Sequence, residues 1–182
     1  MTEITQKLRA EALQARRENR LQDARNILRD ALTQSRESAD ELDLAKTLTA
    51  LGQSERDLGN NDAALPNYEE AIAICRKGND PLTLAHTIRH LGDIHRHEHH
   101  FEIAKACYRE ALQLYRDHDN PPPLDLANAI RGYAILRQEM GDALEAKSLW
   151  EEARTLYSEV NVEAGVNESS RRIALLAGQD VS

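Results

Sequence analysis

The chain has 182 residues, enough for one domain, and 41% of them are hydrophobic while only 4% are aromatic. Gly and Pro are few and fall between periodic segments, so the composition predicts an almost all-helical protein with a core of Ala, Leu and Ile. The formal net charge of −8 argues against bulk electrostatic binding to nucleic acid or to an anionic membrane.

The amino terminus MTEITQKLRA lacks an apolar signal region, and no run approaches the length of a membrane span. We therefore expect a cytoplasmic protein. The two cysteines, Cys75 and Cys107, indicate no disulfide framework and are interpreted as free thiols in a reducing compartment.

The first two predicted helices form a hairpin. They cover about residues 3–18 and 21–35, and a short polar turn near Asn19 joins them. The second helix has one apolar face at i, i+3, i+4 and i+7 spacing, formed by Leu21, Ala24, Leu28, Ala31 and Leu32.

Cap and turn residues mark the ends of the next helices. Ser38-Ala39-Asp40 offers caps for the third helix, which ends at Gly59, and Asn60-Asn61-Asp62 caps the fourth. Gly78 is expected to terminate the fourth helix, and Asp80 is expected to cap the fifth.

The later part of the chain follows the same plan. A proline-rich connection at residues 119–123 separates the third hairpin from the fourth, which turns at Gly141-Asp142. A last helix over about 163–177 is predicted to keep Val166, Ile173 and Ala174 in register with the earlier first helices and to stop at Gly178. This helix closes an apolar face that the final hairpin would otherwise expose.

Three stretches of the chain are self-similar. They begin at Leu44, Leu84 and Leu126, with spacings of about 40 and 42 residues that indicate a stacked repeat array. We predict one domain over residues 1–178, followed by a tail at 179–182. Its repeats are 3–37, 41–77, 81–117 and 123–159, and its capping helix is 163–177.

The aligned positions resemble the tetratricopeptide repeat (TPR), which has a large residue, Leu-Gly, Ala, an aromatic residue and Ala at fixed offsets. The matching residues are Leu48, Leu51, Gly52, Ala64, Tyr68 and Ala71; then Ile88, Leu91, Gly92, Ala104, Tyr108 and Ala111; then Ile130, Tyr133, Ala134, Ala146, Trp150 and Ala153. The long unit is similar to the kinesin light chain type. The resemblance implies an all-α, right-handed TPR superhelix (α-solenoid) of four helical hairpins plus a C-terminal capping helix.

The resemblance also implies that the first helix of each repeat lines a concave groove for peptides or partner proteins. The predicted groove residues are Arg9, Arg16, Arg17, Lys46, Gln53, Arg56, His86, Arg89, His90, Asp93, Arg96, His97, Asn128 and Arg131. With Asp57 and Glu139 included, the groove positions carry a formal charge of about +5, which leaves about −13 for the remainder.

A basic concave cleft favours an acidic ligand, and Arg9, Arg89 and Arg131 share one register position as candidate carboxylate donors. The alternative is that these arginines pair with neighbouring carboxylates or face water. The carboxylate clamp of chaperone-binding TPR domains is not matched, because Arg9, Leu13 and Ala50 occupy its positions.

Six of the seven histidines lie between His86 and His100. His86, His90, Asp93 and His97 follow i, i+4, i+7, i+11 spacing on one helical stripe, so they are candidate metal ligands. One straight helix cannot wrap four side chains around an ion, so we expect no metal there. His95 takes the place of a core tyrosine, and His99 and His100 are expected to be solvated.

No phosphate-binding loop, nucleophile elbow or H-E-x-x-H motif is present in the sequence. We therefore expect a non-catalytic protein–protein interaction scaffold without a cofactor, which binds an acidic peptide or partner segment in a basic groove. Neither nucleic acid nor membrane is expected as a partner. The alternatives are a metal-dependent protein that uses the histidine stripe and a self-associating module that forms a homo-oligomer.

Overall fold

The computed structural model describes residues 3–179. Residues 1–2 and 180–182, which include most of the predicted tail, lie outside the described residues. The described helices are α1 (Glu3–Arg17), α2 (Leu21–Glu37), α3 (Glu41–Asp57), α4 (Asn61–Gly78), α5 (Pro81–His97), α6 (Phe101–Arg116), α7 (Pro123–Glu139), α8 (Ala143–Glu159) and α9 (Glu163–Gln179). No strand occurs within residues 3–179, so the all-α prediction is confirmed.

Backbone contacts divide the chain into two compact units, with the division between His90 and Leu91 inside α5. In the first unit α1 packs on α2, α2 on α3, and α3 on α4. In the second unit α6 packs on α7, α7 on α8, and α8 on α9. Within each unit, packing between consecutive helices is the arrangement expected of a repeat array. The single domain over residues 1–178 stays a prediction.

Small residues let the helices of a hairpin approach each other closely. Ala12 and Ala15 of α1 pack with Ala24 and Leu28 of α2, and each of these residues is at most 1% exposed. Leu51 of α3 joins the same cluster and connects the first hairpin to the second repeat. The first hairpin therefore completes its core with a residue of the second repeat, as expected of a repeat array.

Aromatic side chains of the second helices fill the spaces beside glycines. Trp150 and Tyr157 of α8 are buried, as predicted for packing positions. A Cβ atom on Gly165 of α9 would stand only 2.4 Å from the ring of Tyr157, so this helix can approach α8 only because it has glycine there. The buried face of α9 is therefore centred on Gly165, Ser169 and Leu176. Of the residues predicted to share the register of the earlier first helices, Val166 and Ile173 are partly buried and Ala174 is exposed.

The turn inside each hairpin has one conformation throughout. A residue with positive φ is followed by a residue whose N–H group donates to the carbonyl five positions earlier. The positive-φ residues are Asn19, Gly59, His99 and Gly141. The hydrogen-bonded pairs are Arg20 with Ala15, Asn60 with Glu55, His100 with His95, and Asp142 with Arg137, at 2.8–2.9 Å. This turn fixes the two residues of each pair beside one another.

Two predicted caps are confirmed, because Asp40 accepts from the N–H of Asp43 at 2.9 Å and Asp80 accepts from the N–H of Thr83 at 3.0 Å. Asn60 is the N-cap residue of α4, as predicted, but its side chain makes no capping hydrogen bond and donates to Glu55 at 3.0 Å instead. Gly78 is the last helical residue of α4. The left-handed residue that ends the helix is the next one, Asn79, at φ 53°.

Candidate functional site

In the first unit, six of the predicted groove residues form one hydrogen-bonded network across α1, α3 and the first part of α5. We call it the first-helix network: Arg16, Gln53, Arg56, His86, Arg89 and His90. Gln53 is its centre. Its amide oxygen accepts from Arg16 at 2.8 Å, and its amide nitrogen contacts His86 at 2.8 Å and also His90.

His90 is the buried anchor of the first-helix network, with 4% of its surface exposed. Its ring stacks on the ring of Tyr68 of α4, at 5.8 Å between centroids and 8° between planes. A nitrogen of Arg56 lies 2.9 Å from His90 Nδ1, and a nitrogen of Arg89 lies 2.7 Å from His90 Nε2. One guanidinium group therefore lies beside each ring nitrogen of His90.

The first-helix network is rich in donors. A guanidinium group only donates hydrogen bonds, and a neutral imidazole has one accepting nitrogen. Arg56, Arg89 and Gln53 all direct nitrogens at His90, so a proton on both ring nitrogens would place three cations together. Asp57, which accepts from Arg16 at 2.6 and 2.8 Å, contributes one negative charge at the edge. The cluster keeps a net positive charge with neutral imidazoles.

Arg9 lies outside the first-helix network and contacts a buried carboxylate. It donates to Asp43 at 2.8 Å and to Thr47 at 2.7 Å, and Ser35 donates to the other oxygen of Asp43 at 2.9 Å. Burial would raise the pKa of Asp43, but hydrogen bonds from Thr5, Arg9 and Ser35 outweigh it and lower that pKa. This cluster ties α1, α2 and α3 together.

The predicted groove residues of the second unit have partners within that unit. Asp93 accepts from the Tyr108 hydroxyl at 2.7 Å, and Asn128 accepts from the Tyr157 hydroxyl at 2.8 Å. Arg96 donates to Glu139 at 2.7 Å and also contacts His97.

Arg131 makes a two-point contact with Glu168, at 2.7 and 2.9 Å. This contact lowers the pKa of Glu168, and the same hydrogen bond raises the pKa of Arg131. Arg131 was predicted to be a carboxylate donor, and the carboxylate that it holds in the structure belongs to α9.

Seven ion pairs that join neighbouring layers within residues 3–179 share one direction. In each pair the arginine belongs to the earlier repeat and the carboxylate to the layer that follows. The pairs of the first unit are Arg9–Asp43, Arg16–Asp57, Arg29–Glu55 and Arg36–Glu70. Those of the second unit are Arg96–Glu139, Arg116–Glu152 and Arg131–Glu168. Four of these arginines were assigned to the groove from the sequence, with pairing to neighbouring carboxylates as the alternative: Arg9, Arg16, Arg96 and Arg131. The structure shows that pairing and identifies the partners.

The histidines fall into different groups from those that periodicity suggested. In the first unit, His86 and His90 lie edge to face at 4.8 Å between centroids and share Gln53. Within the described residues, the three-ligand group that could hold a metal is His95, Glu98 and His100 of the second unit. The turn after α5 brings His100 back beside His95, and the predicted turn at His99 and His100 was the sequence signal that could have identified this group. Among the described helices, none is both long enough and apolar enough to cross a bilayer.

The tetratricopeptide repeat family model matches residues 3–77 and 43–117, which together cover more than half of the chain. No curated protein sequence matches significantly. The fold is similar to BtubC (BKLC) from P. vanneervenii, at 20% identity and a TM-score of 0.71, over 86% of this chain and 64% of that one. This chain therefore spans just under two thirds of the length of BtubC.

Two further structures share the fold over nearly all of this chain. The nearly identical TPR-like repeats of a kinesin light chain-type protein from Podosopora anserina match with a TM-score of 0.73 and 14% identity, over 98% of this chain and 90% of that one. PilF of Pseudomonas aeruginosa matches with a TM-score of 0.65 and 16% identity, over 95% and 76%. These likenesses confirm the predicted α-solenoid fold class. The chain belongs to the tetratricopeptide repeat family, whose members are generally non-catalytic scaffolds that bind proteins or peptides.

Proposed function

We propose that this scaffold binds an acidic segment of a partner protein at the first-helix network of the first unit. The observation that carries the proposal is the convergence of Arg56, Arg89 and the Gln53 amide on the buried ring of His90. A carboxylate placed beside them gains hydrogen bonds from two guanidinium groups at once.

Partial burial makes this cluster better suited to recognition than a fully solvated patch of arginines. Arg56 is 21% exposed at its side chain, and Arg89 and His86 are half-buried. Charges in such a setting are screened less by water and salt, so their attraction for an acidic ligand is stronger than on an open surface. Their positions are also held in advance by His90 and Tyr68, which reduces the entropy lost on binding.

The ion pairs reduce the number of predicted groove arginines that are available to a ligand. Arg9, Arg96 and Arg131 each pair with a carboxylate of the following layer at 2.7–2.8 Å, whereas the ion pair of Arg56 with Asp57 is longer, at 3.8 Å. The three close pairs therefore contribute less to ligand attraction than Arg56 does, and Arg17 and Lys46 supply further positive charge on α1 and α3 of the first unit. We assign the main contact to the first-helix network and a steering role to the remaining cations.

The proposal is tested with a labelled peptide in which Asp and Glu flank one Trp, measured by fluorescence anisotropy against the full chain. The double variant Arg56→Glu and Arg89→Glu is expected to bind at least about tenfold more weakly, because a buried charge pair in an interface is worth more than 1.4 kcal/mol. The same charge change at exposed Arg154 of α8 together with exposed Arg109 of α6 is the control.

Equal weakening by the control pair would reduce the effect to net charge and contradict the assigned contact. Unchanged binding by the Arg56 and Arg89 variant would contradict it as well. A peptide with Asn and Gln in place of Asp and Glu measures the part of the affinity that does not depend on charge. Light scattering on the same samples tests the self-associating alternative.

A further inference from the structure

The turn between α5 and α6 brings three side chains together at the surface of the second unit: His95, Glu98 and His100. One ligand atom from each lies within 4.8 Å of the other two. We call this group the His95 turn. It has no part in the first-helix network, which lies entirely in the first unit.

The other hairpins show what this turn does to the side chains at its two paired positions. In the second repeat they are Glu55 and Asn60, and the amide of Asn60 donates to the Glu55 carboxylate at 3.0 Å. In the fourth repeat they are Arg137 and Asp142, which form an ion pair. The turn therefore presses these two side chains into contact, and in both repeats the contact joins a donor to an acceptor.

The third position of the turn also faces this contact. In the fourth repeat it is Met140, whose sulfur lies 3.9 Å from the Arg137 guanidinium. In the third repeat it is Glu98, whose carboxylate lies 3.5 Å from Nδ1 of His100. Three positions of the turn thus converge at one point, and in the third repeat they carry two imidazoles and one carboxylate.

Two imidazoles and a carboxylate are the ligand set of many zinc sites, in which a fourth position stays open to water. We propose that His95, Glu98 and His100 bind a divalent transition metal ion of the zinc class at the α5–α6 turn.

The distances suit this assignment. Zinc–nitrogen and zinc–oxygen bonds of about 2.1 Å place tetrahedral ligands about 3.4 Å apart. The separation between His100 Nδ1 and the Glu98 carboxylate is 3.5 Å, and no two ligand atoms of the group are more than 4.8 Å apart. The His100 side chain is 56% exposed and the Glu98 side chain 31% exposed, so both can rotate and an ion can enter from solvent.

The charges around the site act in both directions. His95 and Glu98 lie at the carbonyl end of α5, where the helix dipole is negative, whereas His100 is the N-cap of α6, where the dipole is positive. The Glu98 carboxylate is therefore the main negative charge that the site offers to a cation. The nearest cation in sequence, Arg96, is directed at Glu139 of α7 at 2.7 Å. The backbone hydrogen bond from His100 to His95, at 2.8 Å, holds the two imidazoles on one side of the turn before any ion arrives. Such preorganisation reduces the entropy lost when the ion binds.

The ion would join α5 to the start of α6, across the turn that reverses the chain direction. His95 belongs to the last turn of α5, and His100 immediately precedes α6. Since a ligand that binds only the native state raises its stability, zinc would stabilise the third hairpin against opening at this end.

The test uses the full chain, purified without a histidine tag, and zinc alone as the probe. Wild-type protein is expected to retain one zinc ion per chain after dialysis, measured by elemental analysis, and to bind zinc in competition with a chromophoric chelator. His95→Gln and His100→Ala are each expected to weaken zinc binding by at least about tenfold, because each removes one of three ligands. Magnesium is expected not to compete, since it prefers oxygen ligands.

Three histidine variants outside the group serve as controls. His97→Ala changes the same helical end, His118→Ala changes the next inter-repeat connection, and His86→Ala changes the stripe that periodicity suggested. All three are expected to bind zinc as the wild type does. Melting temperatures without zinc show that each variant is folded, and a zinc-dependent rise is expected in the controls but not in His100→Ala.

Zinc affinity that is equal in the wild type and in the His95→Gln and His100→Ala variants would overturn the site. So would the absence of saturable binding by the folded wild type, or a loss of binding in His86→Ala that matches the loss in His100→Ala.

Discussion

The hydroxyl of Tyr108 donates a hydrogen bond of 2.7 Å to Asp93, so the second helix of the third repeat is fastened to its first helix. The ring of Tyr108 is fully buried and lies 2.7 Å from where a Cβ atom on Gly132 of α7 would stand. Burial, followed by the charge of Asp93, raises the pKa of Tyr108. One aromatic side chain thus joins three consecutive helices of the second unit.

The substitution Gly132→Ala is expected to destabilise the protein by about 1–3 kcal/mol, because the buried ring of Tyr108 cannot move away without strain. Chemical denaturation measures the change. Gly78→Ala is the matched control, since a Cβ atom there meets nothing within 4 Å and alanine favours the helix. Equal stability of the Gly132 variant and the wild type would contradict the close packing.

Asp43→Asn is expected to destabilise the first unit by about 3 kcal/mol, because it leaves Arg9 without the buried carboxylate that balances its charge. The control is Glu41→Gln on the same helix, which breaks the exposed pair with Lys77 and should change stability by less than about 1 kcal/mol. Urea titrations of both variants provide the comparison.

The pH dependence of that difference follows from the lowered pKa of Asp43. A carboxyl group with a lowered native pKa adds stability above its unfolded pKa, and this stability is lost as pH falls through the native value. The gap between wild type and Asp43→Asn should therefore shrink as pH falls below about 4. A gap that stays constant into strong acid would show that Asp43 acts through packing alone.

Binding of the acidic peptide is expected to weaken as salt is raised, since the proposed contact is between opposite charges. Affinity measured by anisotropy should fall several-fold between low and physiological ionic strength. The slope should become flatter in the Arg56→Glu and Arg89→Glu variant. A salt response that is identical in wild type and variant would place the charged contact elsewhere on the chain.

Cys75 is expected to react slowly with thiol reagents in the native protein. Burial, with a smaller contribution from Asp80, raises its pKa to about 11, so little thiolate is present at neutral pH. The rate of disulfide exchange in a Cys107→Ser background measures Cys75 alone, with protein in urea as the reference. A native rate equal to the unfolded rate would contradict this burial.

The raised pKa of Cys75 also makes the stability of the protein depend on pH. The native pKa of Cys75 lies above the reference value of 9.0, so its contribution is complete below about pH 9 and is lost as pH rises toward 11. Cys75→Ala should therefore show a smaller loss of stability between these pH values than the wild type does.

The last helix depends on one charged contact for part of its attachment. Glu168→Gln is expected to speed amide hydrogen exchange along α9, because it weakens the two-point contact with Arg131 of α7. Exchange in α6 is the internal reference and should not change. Glu163→Gln at the exposed start of α9 is the control variant. Unaltered protection of α9 in Glu168→Gln would show that Gly165 and Leu176 hold the helix alone.

The repeat architecture was predictable because each local signal agrees with the others. Leu28 and Leu51 belong to the periodic apolar faces of their helices. Gly59 and Gly141 mark the turns within hairpins, and Asp80 caps α5. These signals act over four or five residues, where backbone geometry is fixed by hydrogen bonding. Elements defined at that range can be inferred from one sequence.

The partners of the candidate site could not be inferred in the same way. Whether Arg131 faces a ligand or Glu168, 37 residues later, depends on how α7 and α9 are aligned along their axes. Helical periodicity gives the direction of a side chain from its own helix and nothing of what lies opposite. For the same reason the histidine stripe grouped His97 with His90, whereas the turn groups His95 with His100.

The shared direction of these ion pairs makes the two sides of a junction chemically different. The earlier repeat offers guanidinium groups and the layer that follows offers carboxylates, as with Arg36 and Glu70. A layer placed at such a junction in the native orientation meets complementary charges. A layer that presented guanidinium groups instead would set like charges against each other, so the ion pairs favour one order of successive layers.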